Sequence, residues 1–177
     1  MPDNIKSMIL STFLQLVKTN SVDKITVKNL VETCGISRQS FYYHFQDILS
    51  VMELTVRQMI QTALRNSLSA ESPEKSIEEF IRVSVENHDL LEKLLSSQWR
   101  AQIEHIFVDA MHSSFLELIR VKQPDLAVTY QDLNLALNFY TYGTIGIILE
   151  YCKNPEINIE QISRKLYKIL SGKMLDL

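Results

Sequence analysis

The chain has 177 residues, 46% of them hydrophobic and 22% charged, enough apolar material to bury one large core or two small ones. Only four glycines and four prolines interrupt it, and its long runs of Leu, Ile, Glu, Lys, Gln and Met lose little rotamer freedom in a helix, so an all-α protein is expected. A net charge of −3 does not favour a nucleic-acid partner, yet residues 1–50 carry +1 and the remainder −4, the asymmetry expected of an N-terminal DNA module.

Cys34 and Cys152 lie far apart, each within an apolar helical pattern, and read as buried thiols in a reducing compartment. Met1-Pro2-Asp3-Asn4 lacks the basic and apolar regions of a secretory signal, so a cytoplasmic location is expected. Leu133 to Leu149 carries no charged side chain, but Asn134, Asn138, Tyr140, Thr141 and Tyr142 interrupt it. It reads as a helix buried in a soluble oligomer, with no membrane partner.

In chain order, Ile5, Met8, Ile9, Phe13, Leu16 and Val17 form the buried stripe of a first helix, about Asp3 to Thr19. Thr19-Asn20-Ser21 ends it, and Thr26 suits the N-cap of a short second helix carrying Val27, Leu30, Val31 and Cys34 on one face. Gly35 is expected as its left-handed C-cap, with Ile36 plugging the turn. Ser37 then caps a third helix, Arg38 to Phe45, whose inner face is Phe41 and Phe45. A long helix from Asp47 to about Ser69 follows. Further helices are expected over Glu74–Asn87, Asp89–Ser96, Gln98–Val121, Leu126–Cys152 and Asn158–Leu170.

A short helix, a glycine turn and a second short helix with polar residues at its start make a helix-turn-helix, in which the second element enters the major groove. Arg38 and Gln39 have the donors and acceptors for bidentate contacts to base edges, Ser40 can donate or accept, and the hydroxyls of Tyr42 and Tyr43 can reach phosphates. Two exposed aromatics on one turn gain little as solvated surface, which favours DNA binding over a purely structural bundle.

The runs Lys24-Ile25-Thr26-Val27, Leu30-Val31, Gly35-Ile36-Ser37 and Phe41-Tyr42-Tyr43-His44-Phe45 together resemble the signature of the TetR family over roughly residues 5 to 55. The resemblance implies that Thr26 and Lys28 meet phosphate, that Arg38, Gln39 and Ser40, following the Ser37 cap, face bases, and that Tyr42, Tyr43 and His44 grip the backbone. It implies residues 1–47 as the DNA-binding domain and 48–177 as a helical-bundle domain for effector binding and dimerisation. The chain departs from the pattern at Asp47-Ile48, where the family often has a lysine. The backbone amides opening the fourth helix are then expected to supply the phosphate contact instead.

Farther on, Phe139-Tyr140-Thr141-Tyr142-Gly143-Thr144-Ile145-Gly146 with Glu150-Tyr151 resembles the penultimate helix of TetR proteins, including a subgroup related to dihydroxyacetone kinase operon regulators. That implies a homodimer joined through a face bearing Tyr142, Gly143, Gly146, Ile147 and Glu150, paired across a two-fold axis. Trp99, Phe107, Met111, Phe115 and Phe139 are candidates for the pocket of an unidentified effector, or for ordinary core.

His105, Asp109 and His112 fall at i, i+4 and i+7 and can present divalent-metal ligands from one helix face, or a solvated face, so no cofactor is required. No glycine-rich phosphate loop, His-Glu-x-x-His motif or nucleophile elbow supports an enzyme. The expected function is therefore a homodimeric regulator that binds double-stranded operator DNA as a repressor released by a small molecule. The alternatives are a protein-interaction adaptor or a metal-binding helical protein without DNA binding.

Overall fold

The computed structural model describes residues 2–151 and 157–171. Among these, the elements are α1 Pro2–Thr19, a single 3-10 turn Val22–Lys24, α2 Val27–Cys34, α3 Arg38–His44, α4 Ile48–Ser69, α5 Pro73–Glu86, α6 His88–Leu95, α7 Arg100–Lys122, α8 Tyr130–Tyr151 and α9 Ile159–Leu170. No described residue is in a strand, and no helix among them is long and apolar enough to cross a membrane. The fold is all-α, with an N-terminal helix cluster and a long helix, α4, leading to a C-terminal helical bundle.

Two compact units share the chain. The first holds residues 1–57 and 89–107, the second 58–88 and 108–177. In the first, Phe13, Leu30, Phe41, Met52 and Leu94 are fully buried, one apolar anchor from each of α1, α2, α3, α4 and α6. Each fully buried side chain of this size is worth about 1.5–3 kcal/mol of hydrophobic stabilisation, which is what holds such short helices in register. The unit is also fixed from α6 and the α6–α7 corner. Lys93 donates from Nζ to the carbonyls of Val17 and Lys18 at 2.6 and 2.8 Å, and the Gln98 amide donates to the Asp23 carboxylate at 2.9 Å.

In the second unit, the end of α4 meets the start of α5 through a reciprocal pair. The Ser67 hydroxyl donates to the Ser76 carbonyl at 2.8 Å and the Ser76 hydroxyl to the Ser67 carbonyl at 2.9 Å, all buried. Ser72 caps α5, accepting from the Lys75 amide, and Pro73 occupies the first turn, where no amide is missed. The α8 start differs from the sequence expectation. Leu126 and Val128 remain exposed, and the helix begins after Thr129, whose hydroxyl accepts from the Asp132 amide and donates to the Asp132 carboxylate. This capping pair fixes the boundary four residues later than the apolar pattern alone suggests.

Cys34 is half-buried rather than buried, because it lies in the last turn of α2 beside the exposed Gly35. Cys152 lies outside the described residues.

Candidate nucleic-acid interface

The candidate interface is built on two caps and one left-handed residue. Thr26 accepts from the Asn29 amide at 3.2 Å, and Asn29 Oδ1 accepts from the Thr26 amide, a capping box that starts α2. Gly35 closes α2 at φ 67°, ψ 31°, a conformation that a Cβ would make costly, and the Ile36 amide returns to the Val31 carbonyl. Ser37 Oγ accepts from the Ser40 amide at 3.1 Å and starts α3.

Two phenylalanines then orient α3. Phe41 is fully buried, 5.8 Å ring to ring from buried Phe45, and Tyr42 stands edge-on against Phe41 at 5.4 Å. With those rings pinned inward, Arg38 and Gln39 are exposed, Tyr42 is 56% and Tyr43 79% exposed, and Ser40 and His44 are half-buried. Tyr43 packs edge-on against the His44 ring at 5.0 Å. The side chains of Lys28, Arg38 and Gln39 are exposed and make no ion pair or hydrogen bond to a described residue, so their donors remain available to a ligand.

The hydroxyls of Thr26 and Ser37 differ. That of Thr26 is committed, since it also donates to Asn29 Oδ1, whereas Ser37 keeps its proton for an external acceptor. The phosphate contact expected from the α4 amides is not offered in the simple form. The Asp47 carboxylate accepts from the Ser50 amide at 2.8 Å while the Ser50 hydroxyl accepts from the Asp47 amide at 3.2 Å, so a fixed negative charge occupies that helix end. An anion there meets repulsion before it meets a free donor. The signal was in the sequence, as Asp47 followed three residues later by Ser50.

Other sequence candidates are dispersed. Tyr142, Gly143, Gly146 and Glu150 on α8 are exposed and Ile147 is half-buried. Of the five pocket candidates, Phe115 and Phe139 line one apolar cleft in the second unit. Phe107 and Met111 are core, and Trp99 is half-buried beside Ser97, whose hydroxyl accepts from its amide. Sequence reasoning missed the α5 and α9 walls of that cleft, among them Ile77, Phe80 and Ile169. His105 and Asp109 are exposed and His112 half-buried. No group of three His, Cys, Asp or Glu side chains able to hold a metal converges among the described residues, because one face of one helix supplies no ligands from a second direction.

A helix-turn-helix with an exposed polar face, ahead of a helical C-terminal region, is the architecture of a DNA-binding transcriptional regulator. Residues 71–172 match the family model described as the transcriptional regulator C-terminal region of TetR proteins, and the chain belongs to the TetR family. Regulators of this family are non-catalytic.

Three solved structures share the fold. The dihydroxyacetone kinase operon activator DhaS is similar at a TM-score of 0.70 and 16% identity, covering 96% of this chain and 95% of its own. The TetR-family repressor AlkX from Dietzia sp. strain DQ12-45-1b, implicated in biodegradation of n-alkanes, reaches 0.58 at 16% identity, covering 93% and 94%. A transcriptional regulator from Pseudomonas aeruginosa PAO1 reaches 0.57 at 14% identity, covering 97% and 92%. No curated protein matches the chain by sequence.

Proposed function

We propose that the chain is a cytoplasmic, homodimeric repressor that reads an operator through α3 and is released from it by a small-molecule effector. The observation that carries this reading is the α3 face. Phe41 and Phe45 turn inward, while Arg38, Gln39, Tyr42 and Tyr43 project with their polar ends unused by the described residues. Arg38 and Gln39 take the base edges; Lys28, Tyr42, Tyr43 and the Ser37 hydroxyl take phosphates. We take residues 1–47 as the reading module and 48–177 as the effector and dimer domain.

Dimerisation is supported by a stripe on α8. Leu135, Phe139 and Tyr142 are 72%, 66% and 61% exposed and, with Gly146, recur at i, i+4, i+7 and i+11 along one side of the helix. So much apolar surface on one helix face is typical of an interface rather than a solvated flank. The space a Cβ would take at Gly143 and Gly146 is open, which leaves room for a partner helix to approach closely. A two-fold dimer sets its two reading helices in successive major grooves, about 34 Å apart. An effector acts by binding the DNA-competent and DNA-incompetent arrangements with different affinity.

Among the fold neighbours, one carries the name of an activator and one that of a repressor. The direct test is selection of binding sites from fragmented host DNA with the purified protein, followed by a promoter-reporter measurement. A near-palindromic site whose occupancy lowers transcription supports the reading, and no enrichment over random fragments refutes it.

A further inference from the structure

We propose that the second unit binds a small, uncharged apolar compound, of the size of a single six-membered ring, in the cleft between α5, α7, α8 and α9. That this ligand is the effector rests on the regulatory reading above; that the cleft binds it does not.

The cleft has a volume of about 160 Å³. Its floor is the buried pair Phe80 and Ile81 of α5, and its rim includes Phe139 of α8 and Ile169 of α9, both exposed in a single chain, so the cleft is open on the α8 side until a partner covers it. Phe80, Phe115 and Tyr140 stand in a row, with ring centroids 5.6 and 6.4 Å apart, and form an aromatic wall. Among the described residues no charged side chain lines the cleft, and the hydroxyls of Tyr140 and Thr144 are the only side-chain polar groups there.

A water molecule needs two to four polar partners, so this lining hydrates poorly, and an apolar cavity of about 150 Å³ accepts a benzene-sized ring. An ionised ligand finds no counter-charge and loses its hydration shell without return. Filling the cleft also reaches the proposed dimer face, because Phe139, Gly143 and Ile147 belong to both. Occupancy thereby bears on how α8 meets its partner.

The experiment uses the full chain with toluene as probe, benzoate as its charged counterpart, and operator binding measured in the same preparation. Toluene is expected to bind saturably and raise the Tm, with benzoate at least about tenfold weaker. Ile77→Trp, which fills the cleft from α5, should abolish toluene binding and with it any response of operator affinity to toluene. Ile77→Ala, which enlarges the cleft, should bind naphthalene at least about tenfold more tightly than the parent chain does, and serves if the tryptophan variant does not fold.

Absent saturable toluene binding, equal affinity for benzoate, or a response unaltered in both variants overturns the site. Toluene binding that disappears at concentrations where the protein is dimeric assigns the cleft to the partner's side chains and also overturns it. Toluene binding without operator binding upholds the site and refutes the regulator reading. Toluene binding beside unchanged operator affinity refutes only its role as effector.

Discussion

Lys93 on α6 closes the end of α1 by donating to the carbonyls of Val17 and Lys18 at 2.6 and 2.8 Å, across a separation of 76 and 75 residues. These are groups of the last helical turn, where unpaired carbonyls accumulate and a cation is favoured. Lys93→Met keeps the aliphatic stem and removes the donor, so it should cost about 1.5–3 kcal/mol, the range for a hydrogen bond to a charged group. Denaturant unfolding measures it; a loss below about 0.5 kcal/mol would show that water replaces the ammonium at no cost. Asp23→Ala, which releases the Gln98 amide, should couple to it, because both contacts tie the same α6–α7 corner to the N-terminal helices.

Neither contact could be read from the sequence. A lysine on an amphipathic helix does not say which distant carbonyl it will meet, and an aspartate in a turn reads as a local cap. By contrast, helix starts that rest on local chemistry were legible to within a residue or two: Thr26 and Ser37 as caps, Gly35 as a left-handed stop. The α8 start was missed because Leu126 and Val128 extend the apolar pattern while the Thr129–Asp132 pair decides the boundary. The exposure of Arg38, Gln39, Tyr42 and Tyr43 was legible because Phe41 and Phe45 share one side of a very short helix. The cleft was half legible, since apolar residues at helical spacing look the same whether they meet core, as Phe107 and Met111 do, or line a cavity, as Phe115 and Phe139 do.

Arg38→Ala and Lys28→Ala should separate the two kinds of DNA contact. Loss of a bidentate base contact should cost about 1–3 kcal/mol at the preferred operator and relax base preference there. Loss of the Lys28 ammonium should weaken all sequences alike and reduce the salt slope by about one. Titrations at several salt concentrations on matched and scrambled sites would reveal the pattern. If Arg38→Ala lowered affinity equally on both sites, Arg38 would be a phosphate contact and base reading would rest on Gln39.

Gly146→Leu tests the α8 interface without confounding the fold. The space beside Gly146 is open within one chain, so a leucine there should leave the monomer intact. Against a closely packed partner helix, overpacking of this kind costs about 1–3 kcal/mol or more per copy. Sedimentation should show a shift toward monomer with unchanged helicity by circular dichroism, and an unaltered dimer mass would remove this stretch of α8 from the interface.

Glu78 predicts a pH dependence. Its largely buried carboxylate on α5 accepts from Lys75 at 2.7 Å and also pairs with Arg82. The Lys75 hydrogen bond, followed by the attraction of Lys75 and Arg82, holds the carboxyl below its ordinary value despite the opposing effect of burial. A carboxylate whose folded pKa is depressed contributes stability that is complete above the unfolded pKa, about 4.3, and disappears as the pH falls toward the folded value. The free energy of unfolding should therefore drop less between about pH 5 and about pH 3 in Glu78→Gln than in the parent chain. Parallel acid limbs would mean that the ion pairs are equally formed in the unfolded chain.

Thr141 offers the opposite sign, a substitution that stabilises. Its hydroxyl on α8 is fully buried and, among the described residues, is the one buried side-chain polar atom without a hydrogen-bond partner. A buried hydroxyl in that state has lost water and gained nothing, a cost of about 1–3 kcal/mol. Thr141→Val keeps the branched shape and replaces the hydroxyl with a methyl, so the packing around it is preserved while that cost is removed. A gain of about 1 kcal/mol would raise the Tm by about 2–4 °C in a chain of this length. A lower Tm would show that the hydroxyl finds an acceptor on rotation about χ1, the carbonyl four residues back being the nearest kind available to a helical threonine.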